Sequence, residues 1–366
     1  MAYLTQLDVA KRVGVSREAV AFAISSNPRL NRKLRPETRQ VILKTVHQLG
    51  YVPHHAARRL ARSQSDSRAT SFDQVGLIYF ASRDEPDAFV DPVCLAMMQG
   101  AEHELSECDA SLTFVRVRES KDWKKVERLT RAGGVDAWLL YGTVNDEVVS
   151  RLKTGKLPYL IAGDHRCTQP VHCVTVDYKA LGRLAVQHLA SLGHRRIAFF
   201  AGGTWYVYQE QTLAGFRAAL KEFGLDEDDR LIGEISAWRD PAGGNIVQWD
   251  LAVEWLKNAD PMPTAVFSPE LSWAAELCRS LKQADLEVPN DFSLLACESA
   301  FHEVSTQNFT RIALPMTEVG RQGALLLHKL VEDPGVKPTE VKIAPVLREG
   351  WSTCPPGDGR SRTTNH

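Results

Sequence analysis

No run of this chain approaches the roughly 18 to 20 consecutive apolar residues that a membrane-spanning helix needs. Its first residues, MAYLTQLDVAKR, carry charge where a secretory leader has its apolar centre. Both absences lead us to expect a cytoplasmic protein. Cysteine is sparse in pattern rather than number: the seven residues, Cys94, Cys108, Cys167, Cys173, Cys278, Cys297 and Cys354, are odd in count, scattered and form no C-x-x-C. Neither a disulfide framework nor a zinc ribbon is indicated on that ground. His165, Cys167, His172 and Cys173 crowd one loop but lack a metal-ligand spacing, so no metal is expected there. Gly202-Gly203 is too short for a dinucleotide fingerprint, and no Ser-His-Asp set is suggested by local sequence. We therefore expect neither an enzyme nor a cofactor.

What the chain does have is an uneven distribution of charge. Its net charge of −1 conceals a first segment, residues 1–65, with 12 Lys and Arg against three Asp and Glu. That segment carries +9 and the remainder −10. A small basic module on a large acidic body points to a nucleic-acid partner for the first part alone. The 366 residues, at roughly 150 per domain, suggest two to three domains, and 44% hydrophobic residues suffice for their cores.

The first 50 residues show three helical patterns. Thr5 caps the first, with Leu7, Val9, Ala10 and Val13 at helical spacing before Gly14-Val15 breaks it. Ser16 caps the second, which buries Val20, Ala23 and Ile24 and turns Arg17, Glu18, Ala21, Phe22 and Ser25 outward. After a basic loop, Pro36 opens a third helix with Thr38, Val41, Ile42, Thr45, Val46 and Leu49 as its stripe, closed by Gly50. YVPHHAARRLAR reads as a short basic helix and Ser63 to Gln74 as a linker. From Val75 onward, apolar runs such as VGLIYF, AWLLYG, PYLIAG, RRIAFFAGG and FSLLAC alternate with helical stretches. This is the βα alternation of a parallel sheet, given twice.

The segments LDVAKRVGVSREAV, PETRQVILKTVHQLGYVPHHAARRLA, LASLGHRRIAFFAGG and GFRAALKEFGL resemble the lactose/galactose-repressor (LacI/GalR) family of bacterial transcription factors. The likeness runs over nearly all of residues 4–353. It implies an all-α helix-turn-helix head at 1–52, a hinge helix and linker at 53–74, and an α/β two-lobed periplasmic-binding-protein-like body at 75–354. The first lobe would comprise about 75–174 and 314–329, the second about 175–313 and 330–354, with a disordered tail at 355–366. It also implies a homodimer on a pseudo-palindromic double-stranded operator, most simply a repressor, controlled by a small effector such as a sugar. Thr5, Ser16, Arg17, Glu18, Ala21, Phe22 and Asn31 would serve DNA binding in the head. His54, Ala57 and Leu60 would do so in the hinge, Leu60 as the minor-groove wedge. Arg17 suits guanine, Glu18 cytosine N4 and Phe22 a thymine methyl. The Pro92 to Leu105 helix, with Met97 and Met98, would supply the main dimer contacts.

The effector positions depart from the family pattern. Thr212 stands where an arginine is usual, Glu270-Leu271 replaces an Asn-Asp pair, and Glu298 replaces an aspartate. Trp238 and Trp273 align with cleft-facing positions and could stack on a sugar ring, with Asp164, Glu270 and Glu298 as acceptors for hydroxyls or an amine. The altered set keeps two alternatives in view: a regulator with a degenerate cleft that works without a ligand, and a solute-binding protein that merely shares the body. The basic head and the missing leader argue against the latter.

Overall fold

In the computed structural model of the chain, residues 4–24, 31–51, 72–81, 91–202, 207–238, 247–298 and 308–357 are described. The hinge residues His54, Ala57 and Leu60, and 358–366 of the tail, lie outside them.

The head consists of α1 (Gln6–Val13), α2 (Arg17–Ala23) and α3 (Pro36–Leu49). Thr5 and Asp8 form a reciprocal capping box at the start of α1, and Gly14 ends the helix at φ 78°, a left-handed conformation suited to glycine. The Ser16 hydroxyl accepts a hydrogen bond of 3.1 Å from the Ala19 N–H and caps α2, which begins at the next residue. Val9, Ala10, Val20, Ala23 and Ile42 form the shared core. Leu7 and Val41, expected on that inner stripe, face outward with 50% and 53% exposure. Each of these helices buries only a narrow face in so small a core, and Leu7 of α1 and Val41 of α3 lie beyond its edge.

The body contains two six-stranded sheets with the same winding. The first runs β11 (Glu340–Ile343), β5 (Cys173–Val176), β4 (Tyr159–Ala162), β3 (Ala137–Gly142), β1 (Gln74–Phe80), β2 (Ser111–Val117). The second runs β12 (Val346–Arg348), β10 (Arg311–Ala313), β9 (Ser293–Glu298), β8 (Ala265–Ser268), β6 (Ile197–Ala201), β7 (Ile232–Glu234). All pairings are parallel except β10 with β12. Parallel strands buried on both faces explain the continuous apolar runs in the sequence. The lobe division differs from the expected one: residues 340–343 pair with β5 in the first sheet, so the chain returns to the second lobe only at β12. The segment EVKI is a half-buried edge strand, and its residue pattern does not say which sheet it joins.

The remaining helices are α4 (Pro92–Glu107), α5 (Trp123–Arg131), α6 (Asp146–Lys153), α7 (Tyr178–Ser191), α8 (Val207–Glu222), α9 (Trp249–Asn258), α10 (Leu271–Gln283) and α11 (Met316–Glu332). Each lobe has one helix pair packed with backbones in close approach. A Cβ on Gly100 of α4 would collide with the Thr317 carbonyl of α11, and one on Gly182 of α7 with the Thr212 carbonyl of α8. These seams hold α4 and α7 so that their first turns lie beside the carboxyl ends of the strands, where open α/β sheets bind ligands.

Candidate functional site

Two surfaces answer to the sequence-derived sites. On the head, Arg17 and Glu18 are exposed on the first turn of α2, while Ala21 and Phe22 are half-buried. The Arg17 Nε donates to Gln6 Oε1 at 3.4 Å, which orients the guanidinium along α1. The Lys33 ammonium lies 5.0 Å from the Phe22 ring centroid, so this ring serves as the seat of a cation as well as an apolar surface. Lys11, Arg12, Arg32, Lys33 and Arg35 of the head are also exposed. Thr5 and Ser16 act as caps, leaving the exposed ends of their helices firm. Asn31 is half-buried, with its Oδ1 buried and without a donor. The head thus presents a capped helix whose outward first turn carries one donor and one acceptor side chain amid positive charge.

On the body, a cleft of about 390 Å³ lies between the lobes, walled by Tyr79 and Phe80 of β1, Asp91 before α4, Tyr141 of β3, Gly163 to Arg166 after β4, Tyr178 of α7, Val207 and Tyr208 of α8, and Pro269-Glu270 after β8. Its floor is built from strand ends, where side chains of adjacent strands converge. Among the described residues, two contacts bridge it: the Tyr208 N–H donates to Asp164 Oδ2 at 3.0 Å, and Arg166 Nη2 to Glu210 Oε1 at 3.2 Å. The Tyr208 hydroxyl donates to Glu270 Oε1 at 2.7 Å and accepts from Gln209 Nε2 at 2.9 Å. Within the first-lobe wall the Tyr141 hydroxyl donates to Asp91 Oδ2 at 2.8 Å. Burial pushes the Glu270 carboxyl up to about 7, with the Asp91 charge adding to the effect and the Tyr208 hydrogen bond opposing it. Burial also raises Asp164 and, further, the phenols of Tyr141, Tyr178 and Tyr208. His165 is lowered by burial, and its Nδ1 accepts from the Cys167 N–H at 3.1 Å, which suits a neutral ring.

Of the six effector residues expected from sequence, Asp164 and Glu270 line the cleft, and four do not. Thr212 is fully buried in the seam between α7 and α8, its hydroxyl turned back onto the Tyr208 carbonyl at 2.7 Å. A threonine is too short to leave that seam as a longer side chain would. Trp238 sits in the second lobe's outer core, edge-on to Phe200 with centroids 5.2 Å apart and 5.3 Å from Trp255. Trp273 packs against the same core and over Gly202, where a Cβ would strike its ring. Glu298 pairs with Arg311 at 2.9 Å, an ion pair within the lobe. Conversely, the sequence reading missed Tyr79, Asp91, Tyr141, Tyr178 and Tyr208. The signal was available for Tyr79 and Tyr141, which are the next-to-last residues of VGLIYF and AWLLYG, at the carboxyl ends of parallel strands.

Comparison with known proteins matches residues 186–353 to a periplasmic binding protein-like domain. Catabolite control protein A of Priestia megaterium is 26% identical over 347 residues, 93% of this chain and 96% of its own length. Among solved structures, a transcriptional regulator CelR–cellobiose complex superposes with a TM-score of 0.63 at 24% identity, covering 95% of this chain and 99% of that one. A lac repressor dimer bound to operator and the anti-inducer ONPF gives 0.69 at 20%, covering 96% and 100%.

Proposed function

Because this chain belongs to the LacI/GalR family of transcriptional regulators, we propose that it is a sequence-specific DNA-binding regulator, a cytoplasmic repressor acting as a homodimer on a pseudo-palindromic operator. The observation that carries this reading is the outward face of α2, with Arg17 and Glu18 exposed on a firmly capped first turn inside a segment of charge +9. Arg17 donates to guanine O6 and N7, Glu18 accepts from cytosine N4, and the surrounding cations meet phosphates. The second element is a small polar effector, a carbohydrate or a relative of one, held in the interlobe cleft and altering operator affinity. Support comes from the cleft's tyrosines and acceptors, and from the cellobiose that the CelR neighbour holds. An effector that favours the bridged arrangement of the two lobes shifts the whole body, and its differential affinity for the two arrangements sets the size of the response. No catalytic turnover and no cofactor enter this scheme.

The test is capture of fragments of the source genome by the purified full chain, followed by sequencing. Recovery of a few fragments sharing a short inverted repeat is the expected result. Even recovery across the genome would overturn the proposal.

A further inference from the structure

The interlobe cleft shows a charge imbalance. Among the described residues its wall carries three carboxylates, Asp91, Asp164 and Glu270, and one guanidinium, Arg166, whose Nη2 is engaged by Glu210. The one histidine there, His165, accepts a backbone N–H at its Nδ1 and adds no positive charge as a neutral ring.

The three carboxylates are not equivalent. Asp91 caps α4, accepting from the Val93 N–H at 2.9 Å, so the helix dipole offsets part of its charge. Asp164 is engaged by the Tyr208 N–H. Glu270 occupies the N-cap position of α10 but makes no capping hydrogen bond. Its Oε1 takes the Tyr208 hydroxyl, and its Oε2 has no donor among the described residues. A half-buried carboxylate with one oxygen unmatched on a cavity wall is a group lacking its counter-charge, and charge partly withdrawn from water is costly unless paired.

The cavity around it is aromatic from both sides. Tyr79 and Tyr141 of the first lobe stack with centroids 5.8 Å apart, and Tyr178 and Tyr208 of the second lie at the same centroid distance. Tyrosine faces carry negative quadrupole density and attract cations. Phenol oxygens and carboxylates together would also suit a neutral polyol. A neutral ligand, however, supplies no charge to the imbalance, whereas a protonated amine supplies it and donates up to three hydrogen bonds.

We propose that the ligand of this cleft carries a protonated amine, seated against Glu270 and the two tyrosine pairs, with its hydroxyl or carbon skeleton toward Asp164 and Asp91. This rests on the effector reading above and narrows it to a cationic class, such as an amino sugar or hydroxylated amine.

The test uses the full chain and matched probes differing only in charge: glucosamine with glucose, galactosamine with galactose, and ethanolamine with ethylene glycol. Melting shifts and titration calorimetry are read at pH 8. The expected result is that at least one amine binds about tenfold or more tightly than its neutral partner, a ratio in keeping with a charge-assisted contact. Glu270→Gln should abolish that preference, while Glu222→Gln, at the far end of α8 in a pair with Arg183, should keep it. Equal or tighter binding of the neutral partners, or no binding by any of the amines, would overturn the proposal. Genome-fragment capture is read on the same preparation. Captured inverted repeats with a cleft preferring neutral sugars would sink this inference alone, and absent repeats would sink the regulator reading itself.

Discussion

At the scale of single residues, Glu270 makes a pH prediction with a definite sign. Its carboxyl titrates near 7 in the folded chain against an ordinary value of 4.5. Between those values the folded state holds a proton that the unfolded state has released, so this group's contribution to stability is present at low pH and is lost as pH rises toward 7. Glu270→Gln should therefore raise the melting temperature relative to the parent at pH 8 and leave it nearly unchanged at pH 4.5, where the folded parent is neutral at this position as the variant is. Parallel melting curves across that range would contradict the burial of this group. Arg17 makes the complementary prediction on the head. Arg17→Ala should relax base preference at one symmetric position of the operator, by about 1 to 3 kcal/mol per lost bidentate contact. Binding measured against a set of single-base operator variants checks this.

How much of the site could be read beforehand also depends on the scale of the residue. Asp164 and Glu270 were legible because each follows a strand whose carboxyl end is marked by its own apolar run. Like Glu270, the residues Thr212, Trp238, Trp273 and Glu298 were assigned by alignment, and alignment fixes a Cα position without saying where a different side chain will point. Trp238 shows the limit: a large ring near a cleft finds more contact inside a core with Phe200 and Trp255 than at a solvated wall. Tyr208 was missed since its role arises from a helix start meeting a loop of the opposite lobe, a pairing that no local pattern encodes.

At the scale of elements, boundaries followed from caps. Thr5, Ser16, Pro36 and Gly50 bound the head helices as their chemistry requires. Ser16→Ala removes the acceptor of the Ala19 N–H and should destabilise α2 by about 1 kcal/mol. The effect should appear as faster amide exchange in residues 17–23 with little change in the body. The helix seams were invisible to sequence analysis, because a glycine inside a helix reads as a weak propensity until the opposing backbone is known. Gly320→Val drives side-chain atoms into the Met97 carbonyl of α4, and such overpacking costs typically about 1 to 3 kcal/mol, with more where only backbone can yield. A lower body melting temperature is the expected outcome. Unchanged melting would mean that α4 and α11 do not approach as closely as described.

At the scale of the whole molecule, the twice-repeated sheet was legible from the alternation of apolar runs and helices, whereas the last crossing was not, since the edge strand Glu340–Ile343 carries no pattern that names its partner sheet. What joins the parts in the proposed scheme is electrostatic division of labour: a basic head suited to a polyanion and an acidic, tyrosine-walled cleft suited to a small polar ligand. The most direct measurement is the affinity of the full chain for a captured inverted repeat and for the same duplex with one half-site scrambled, by fluorescence anisotropy at 50 and 200 mM salt, roughly the range over which six to ten phosphate contacts cost about 10³ to 10⁵ in affinity. The account predicts that steep loss with salt, together with a penalty of at least about 10² for the scrambled half-site, since both heads of a dimer must read their bases. Equal affinity for the intact and scrambled duplexes would contradict it.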